Sequence, residues 1–496
     1  MRLPTLSETG SGQPPVYRQI ADHIRGEVES GALEPGSRLP PIRALAADLG
    51  VNRDTVSLAY EALATDGLLE SVVGRGTFVR DLEAAPPGLP QVDLALSGTV
   101  ESLIAYENAR PRFGVGSDVI ALHSLVPDPA FYPVDEFRRC LNRVLSEGGA
   151  DLLRYGAPQG HLGLRDVIAE RFRATGCRLG PDEIVLCHGA SQGISLALRL
   201  FAQPGDSVAV ELPTYHNLLS TLVALGLRAA PVQHGADGPD LDQLERTLSR
   251  PEVKAFYTIP TFHNPMGTTT TLGARRRLLE VAARCGVPVI EDGFEMDLRA
   301  SGKDVPPLAA LDDRGLVVHL SSFSKSLFPG VRVGSITASG RALDGLLALK
   351  HSTDLSDSMP LQAALEEFVR SGSYDRHLGR MRKMLRSRTE AILEALEREM
   401  PEGTEWTRPE GGYQVWVELP FDVDTRDLLA DAARGGVLFA PGSQFYTDRG
   451  PSRGMRLTLA QADEEEIRRG VAILGEVIRK RQEVGPTRLG NSAVNM

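Results

Sequence analysis

The segment SSFSKSLFPGVRVG, residues 321–334, gathers Ser322, Ser324, Lys325 and Arg332 behind the apolar run Leu316–Leu320. A lysine amine forms a Schiff base with an aldehyde, while an arginine seven residues on and the flanking hydroxyls hold a phosphate on the same molecule. An amine nucleophile beside a phosphate clamp is the chemistry that pyridoxal 5'-phosphate requires. Lysine is scarce in this chain: it occurs at 254, 303, 325, 350, 383 and 480, and the first half has none. Of the six, Lys325 is the one set among hydroxyls with an arginine just downstream.

Other segments supply the remaining parts of such a site. Val287–Glu291 reads as a β-run ending at Asp292, where a carboxylate would pair with a pyridine nitrogen and keep it protonated. Ile184–Cys187 reads as another strand, and Gly189, Ala190, Ser191 and Gln192 open a helix whose first N–H groups suit a phosphate. ELPTY places Tyr215 where it could stack on a flat ring. HNPMG sets the Asn264 amide beside a Pro-Gly turn, suited to bonding a phenolic oxygen. Order and spacing together carry this reading.

The elements that must position these residues follow from periodicity. From about 121 to 483, short β-branched runs alternate with helical patterns, as in an α/β domain with a mostly parallel sheet. Residues 82–120 open on Pro86–Pro87, mix Pro, Gly and Ser, and read as a linker; 484–496 read as a flexible tail. Residues 1–81 form a domain of their own. Val16, Ile20, Ile24 and Val28 share one helical face, Ile42–Leu49 is a second helix, and Asn52 caps a third from Arg53 to Asp66. Two short strands, Leu68–Val72 and Thr77–Arg80, join at Gly74–Arg75–Gly76. Three helices and a two-stranded wing make the winged helix-turn-helix layout, whose third helix enters a major groove.

Composition narrows the class. The 496 residues are 42% hydrophobic with a net charge of −11, which argues against coating nucleic acid or membrane by bulk charge but leaves a local basic site open. Residues 1–81 hold eight arginines against eleven carboxylates, yet the arginines concentrate at the turn, the third helix and the wing tip. No apolar run reaches the ~18 residues of a membrane span. The N-terminus lacks the basic-then-apolar pattern of a secretory signal, and four scattered cysteines without CxxC spacing suit a reducing cytoplasm. Ten histidines show neither HxH nor HExxH, so no metal centre is indicated.

The run LPPIRALAADLGVNRDTVSLAYEALATDGLLESVVGRGTFV resembles the DNA-binding domain of the GntR family. The resemblance implies Arg43, Arg53 and Thr55 near bases or phosphates and Arg75 in the wing. Pro41 departs from it, standing where the family usually has a small hydroxyl residue. Across about 121–480 the chain resembles fold-type I pyridoxal-phosphate enzymes of the aspartate aminotransferase superfamily. That implies an α/β fold: a large domain with a mostly parallel sheet and a small C-terminal α+β subdomain over about 360–483. It further implies Lys325 as the internal aldimine, Asp292 on the pyridine nitrogen, Asn264 on the 3′-oxygen and Tyr215 stacked on the ring. Ser191, Gln192, Ser322 and Arg332 fall at the phosphate, Tyr155 (in RYGAPQGHLGLRD) reaches the partner subunit's phosphate, and Arg456 (in GMRLTLA) grips a substrate carboxylate.

A GntR-type head on an aminotransferase-like body is the architecture of MocR-type regulators. The resemblance implies a domain-swapped homodimer, each head over its partner's body, with operator DNA as partner and no membrane. An amino compound, or pyridoxal phosphate itself, reacting at Lys325 would shift the dimer between DNA-binding geometries. Two positions depart from the pattern. Phe294 stands where members commonly carry a tyrosine, and Asn217 where some carry an arginine for a second acid group, so an ω-carboxylate ligand is not supported. These departures keep a second reading open. It is a working fold-type I enzyme, a transaminase or an enzyme of β- or γ-elimination and bond formation, with the head kept for structure.

Overall fold

The apolar stripe near the N-terminus folds as α1 (Val16–Glu29), with Ile20 and Ile24 buried and Val16 and Val28 packed against the same cluster. α2 (Ile42–Leu49) stops at Gly50, whose φ of 65° closes the turn, and α3 (Arg53–Thr65) starts where the Asn52 side chain accepts from the Asp54 N–H. β1 (Leu69–Val72) and β2 (Gly76–Val79) pair antiparallel, Leu69 opposite Val79. The core of this unit joins Ile20, Ile24, Leu45, Val56 and Leu63, one side of each helix. The structure, a computed structural model, describes residues 15–72, 76–80, 95–108 and 119–484. It divides into two units, Met1–Ala95 and Leu96–Met496. Arg75 and the tail from 485 onward lie outside the described residues.

The stretch expected as a linker is not irregular throughout. α4 (Gly98–Asn108) forms inside it, and Tyr106 packs against the cluster around Ile194, Leu218 and Leu346. The Arg449 guanidinium lies 3.5 Å from the Tyr106 ring centroid. A helix this short needs tertiary anchorage to persist, and this aromatic anchor is what weak periodicity conceals.

In the second unit β3 (Ile120–Ala121) pairs in parallel with Val437–Leu438. The principal sheet comprises β4 (Ile184–Cys187), β5 (Ser207–Leu212), β6 (Arg228–Gly235), β7 (Gly238–Pro239), β8 (Val253–Thr258), β9 (Val289–Asp292), β10 (Val317–Ser322) and β11 (Gly334–Thr337). Their spatial order is β4-β11-β10-β9-β8-β5-β6-β7. Strands β10, β9, β8, β5 and β6 run parallel, while β11 is antiparallel to both neighbours. β4, β5 and β9 are buried along their whole length, as strands covered on both faces must be. Two helices, α5 (Val134–Gly148) and α6 (Leu162–Ala174), give Phe137, Leu164 and Ile168 to the largest apolar cluster. The helices starting where strands end, α7 (Ala190–Phe201) and α8 (His216–Ala224), leave a crevice at the carboxyl ends, where open α/β sheets bind ligands.

A second sheet of Glu405–Trp406, Gln414–Glu418, Gly454–Thr458 and Ala440–Pro441 packs with the helices Ser373–Glu399 and Glu464–Val484 in the smaller α+β portion. β3 joins this portion rather than the principal sheet, which carries residues 122–125 into the crevice. Among the described residues no helix is long and apolar enough to cross a membrane.

Candidate functional site

At the carboxyl ends of β9 and β10 one cavity is lined by Asp292, Ser322, Lys325 and Arg332, with Ser191, Tyr215, Asn264 and Arg456 on its other walls. Residues from widely separated places in the sequence thus face a common space. Two expected members do not line it. The Gln192 side chain accepts from the His188 N–H at 2.8 Å and donates to Asp354 Oδ2 at 2.5 Å, so what Gln192 offers at the helix start is its backbone N–H. Tyr155 is 83% exposed and is not among the residues lining the cavity of its own chain.

Lys325 Nζ donates to the Leu125 carbonyl at 2.8 Å, a bond that aims the amine into the cavity. Burial holds the amine below its ordinary pKa and Arg456 and Arg332 act in the same direction, with Glu295 opposing. Glu295 is fully buried, takes the Tyr413 N–H at 3.2 Å, and burial pushes its carboxyl up to about 8. Tyr413 Oη donates to the Lys325 carbonyl at 2.9 Å, so one residue bonds to both Glu295 and the Lys325 backbone.

Asp292 is buried at the end of β9, where Tyr257 Oη donates to it at 2.6 Å and the Phe294 N–H at 3.1 Å. Burial pushes its carboxyl up to about 6, the cost of a carboxylate without a cationic partner, and a ring N–H⁺ would supply that partner. At the opposite end Arg332 sits at a φ of 46° and donates to the His188 carbonyl at 2.8 Å. Gly189 (φ 77°) permits this approach, because a Cβ there would lie 3.1 Å from Arg332 Nη2. With Ser191 and the free N–H groups that begin α7, these residues form an anion cup. Ser324 Oγ, also on the cavity wall, is buried without a partner. A lone buried carboxyl, a cup of N–H donors and an amine between them fit pyridoxal phosphate from nitrogen to phosphate.

Arg456 is 3% exposed. It donates through Nη1 to Asn264 Oδ1 at 3.0 Å and through Nη2 to the His123 carbonyl at 2.8 Å. Burial lowers its pKa to about 10, which leaves it cationic at neutral pH. Asn217 Nδ2 donates to Tyr215 Oη at 2.9 Å, so Asn217 braces the Tyr215 ring on the cavity wall. Phe294 lines the cavity as an apolar wall.

Sequence reasoning missed His123, Leu125, Tyr257 and Glu295. A tyrosine inside the apolar run FYT reads as packing, and Glu295 in EDGFE carries no pattern of its own. Leu125 meets Lys325 across 200 residues of chain, for which no local signal exists. Among the described residues two groups bring three potential metal ligands within 4.8 Å of one another, Glu211–His234–His263 and His188–Asp354–Asp357. In the first the imidazoles stack at 4.0 Å with planes 15° apart, so their in-plane lone pairs do not converge. In the second the Lys350 ammonium already bonds both carboxylates.

In the first unit Arg43 and Arg53 face one groove together with Arg38, Ser57 and Thr77. Arg38 was not anticipated; its guanidinium lies over Gly76, where a Cβ would meet Nε at 2.9 Å. Thr55 is half-buried and not among the groove residues. Pro41 gives α2 no side-chain cap, so the first N–H groups of that helix keep their bonding capacity.

A winged helix-turn-helix head with an arginine groove and a body with an aminotransferase-type cavity define a two-part class of protein, and comparison with known families agrees. Residues 16–79 match the family described as bacterial regulatory proteins, gntR family, and residues 128–474 match aminotransferase class I and II. The chain belongs to the MocR-type group, GntR-family regulators whose body is a class I and II aminotransferase domain. It is 32% identical over 466 residues to the "Uncharacterized HTH-type transcriptional regulator YdcR" of Escherichia coli (strain K12), covering 94% of this chain and 99% of that protein. It is 30% identical over 459 residues to the "Probable rhizopine catabolism regulatory protein MocR" of Rhizobium meliloti, covering 92% of each. Among solved structures it is similar to LysN, the α-aminoadipate aminotransferase of Thermus thermophilus, complexed with N-(5'-phosphopyridoxyl)-L-leucine. There the TM-score is 0.70 at 32% identity, over 78% of this chain and 96% of that one.

Proposed function

We propose that this protein is a transcription regulator whose body holds pyridoxal phosphate at Lys325 and whose head binds operator DNA according to the amino compound that meets the cofactor. The observation that carries the reading is the convergence of Lys325, Asp292, Arg332 and Arg456 on one cavity. When bound, the cofactor supplies an electrophilic aldehyde and an electron-withdrawing ring. The chain's own residues do the rest. Ser191, Ser322, Arg332 and the start of α7 hold the phosphate, and Asp292 keeps a proton on the ring nitrogen. Asn264 and Tyr215 fix the ring, and Arg456 takes the carboxylate of the ligand. With a neutral Asn217 where an arginine would grip a second acid group, the ligand class is an amino acid with one acid group. Arg43 and Arg53 contact DNA, with Thr55 and Arg75 as further contacts outside that groove's described lining.

In this reading the protein is a cytoplasmic homodimer, each head over its partner's body, and the exposed Tyr155 reaches the partner's phosphate cup. A second reading, a working transaminase, is favoured by the retention of Lys325, Asp292 and Arg456 together, the residues that proton transfer at an amino acid's Cα would use. A gel shift on the protein's own upstream DNA, with and without pyridoxal phosphate and amino compounds, tests the first reading. A turnover assay with amino donors runs beside it. A shift that responds to the amino compound is the expected result; no shift in any cofactor state, with rapid turnover, overturns it.

A further inference from the structure

Lys350 has no exposed surface and stands outside the cavity, yet its ammonium donates to Asp354 Oδ1 and Asp357 Oδ1, both at 2.9 Å. Attraction to the two carboxylates outweighs burial and raises its pKa. Such a buried cluster is a poor stabiliser, because desolvation offsets much of the attraction. Its bonds to the surroundings point to another use.

Two sets of hydrogen bonds leave it. Toward the anion cup, Gln192 Nε2 donates to Asp354 Oδ2 at 2.5 Å and Gln192 Oε1 accepts the His188 N–H at 2.8 Å. The His188 ring Nε2 lies 3.0 Å from Asp357 Oδ1, and the His188 carbonyl accepts from Arg332 at 2.8 Å. Toward the surface, Gln362 Nε2 donates to Asp357 Oδ2 at 3.1 Å while its Oε1 accepts the His161 N–H at 2.8 Å. Ser356 Oγ accepts the Gly156 N–H at 2.8 Å and donates to the Asp357 carbonyl at 3.0 Å. Both ends of the Gly156–His161 loop, which follows exposed Tyr155, therefore hang from Asp357.

We propose that Lys350 is a positioning residue that couples occupancy of the anion cup to the loop carrying Tyr155. The proposal rests on the reading that the cup takes a phosphate. An anion drawing on Arg332 acts on the His188 carbonyl, and through His188 and Gln192 on both aspartates. Lys350 bonds both carboxylates at once, so they respond as one body and carry the loop with them. Without the ammonium, two like charges face each other and the link between the two sides loosens. In this way the state of the cofactor site reaches a surface loop without any contact between that loop and the cofactor of its own chain.

Hydrogen exchange, read by mass spectrometry on the full cofactor-free chain with and without added pyridoxal phosphate, tests this. In the native chain the cofactor slows exchange in both 188–192 and 156–161. Tyr155→Ala keeps both responses, which separates the coupling from any contact made by the tyrosine itself. Lys350→Met keeps the response at 188–192 and loses that at 156–161 by about fivefold or more, the low end of coupling between sites. Lys350→Arg restores it. If Lys350→Met does not fold, the pair Ser356→Ala and Gln362→Met leaves the ion cluster whole, cuts its ties to the loop and gives the same readout. A loop that responds equally in these variants overturns the coupling, as does a native loop that stays silent while 188–192 slows. No slowing at 188–192 in the native chain overturns the phosphate reading and the coupling together.

Discussion

Arg456 and Asn264 are bonded to each other: Nη1 of the guanidinium donates to Oδ1 of the amide at 3.0 Å. The amide has one acceptor and one donor end, and this bond commits the acceptor to the arginine. Nδ2 thereby keeps its donors, which in the proposed reading would serve the ring oxygen of the cofactor. The residue assigned to the ligand's carboxylate thus also orients the residue assigned to the ring.

Arg456→Lys is expected to lose both functions. A lysine has one ammonium where the guanidinium reaches Asn264 and the His123 carbonyl simultaneously. Affinity for the amino-acid ligand falls by about 30-fold, or about 2 kcal/mol, the scale of a hydrogen bond to a charged group. The cofactor's visible spectrum shifts in the same variant before any ligand is added, as an absorbance titration would record. An unshifted spectrum separates the two roles.

Asp292→Asn is expected to stabilise the cofactor-free protein while weakening cofactor binding. Burial raises the carboxyl from 3.8 to about 6, so the folded state takes up a proton more readily than the unfolded chain. The stability linked to that proton is present in full below pH ~4 and is lost as pH rises through about 6, amounting to about 3 kcal/mol at neutrality. The asparagine variant removes this cost, so its melting temperature without cofactor exceeds the native one at pH 7 and varies less across that window. Equal melting profiles would show that the carboxyl is not strained.

Borohydride reduction of the cofactor-loaded protein, followed by peptide mapping, is expected to label Lys325, and Lys325→Ala to abolish the label. Lys303 is exposed and Lys350 is bonded to two aspartates, so neither offers a free amine in a cup. A label on either one refutes the assignment.

Phe294→Tyr would place a phenol on the cavity wall. A donor near the ring oxygen stabilises its anionic form, so the pH midpoint of the cofactor's absorbance moves down. An unchanged titration shows that position 294 does not face that oxygen.

Arg53→Ala is expected to cost about 1–3 kcal/mol in specific DNA binding if the side chain reads a base. Arg38→Ala, in the same groove but at the foot of the wing, weakens binding to all sequences alike and lowers the salt slope by about 1, as loss of a phosphate contact does. Measurement of affinity against salt for specific and random duplexes distinguishes the two.

That Lys325, Asp292, Asn264, Tyr215, Ser191, Ser322 and Arg332 meet in one cavity is legible because each sits in a short segment whose own geometry does the placing. Asp292 ends a strand, Ser191 starts a helix, and Lys325 and Arg332 share one turn region. The helices and wing of the first unit were legible for the same reason, through periodicity, a capping asparagine and glycine turns. Tertiary packing alone decided the rest. The carbonyls that receive Lys325 and Arg456 come from 200 and 333 residues away. Gln192 turns from the cup because Asp354 draws it elsewhere, and α4 persists because Tyr106 finds Arg449. Spacing along the chain determines which residues share a turn. Which way a side chain points, and what charge faces it, depends on segments that only folding brings near.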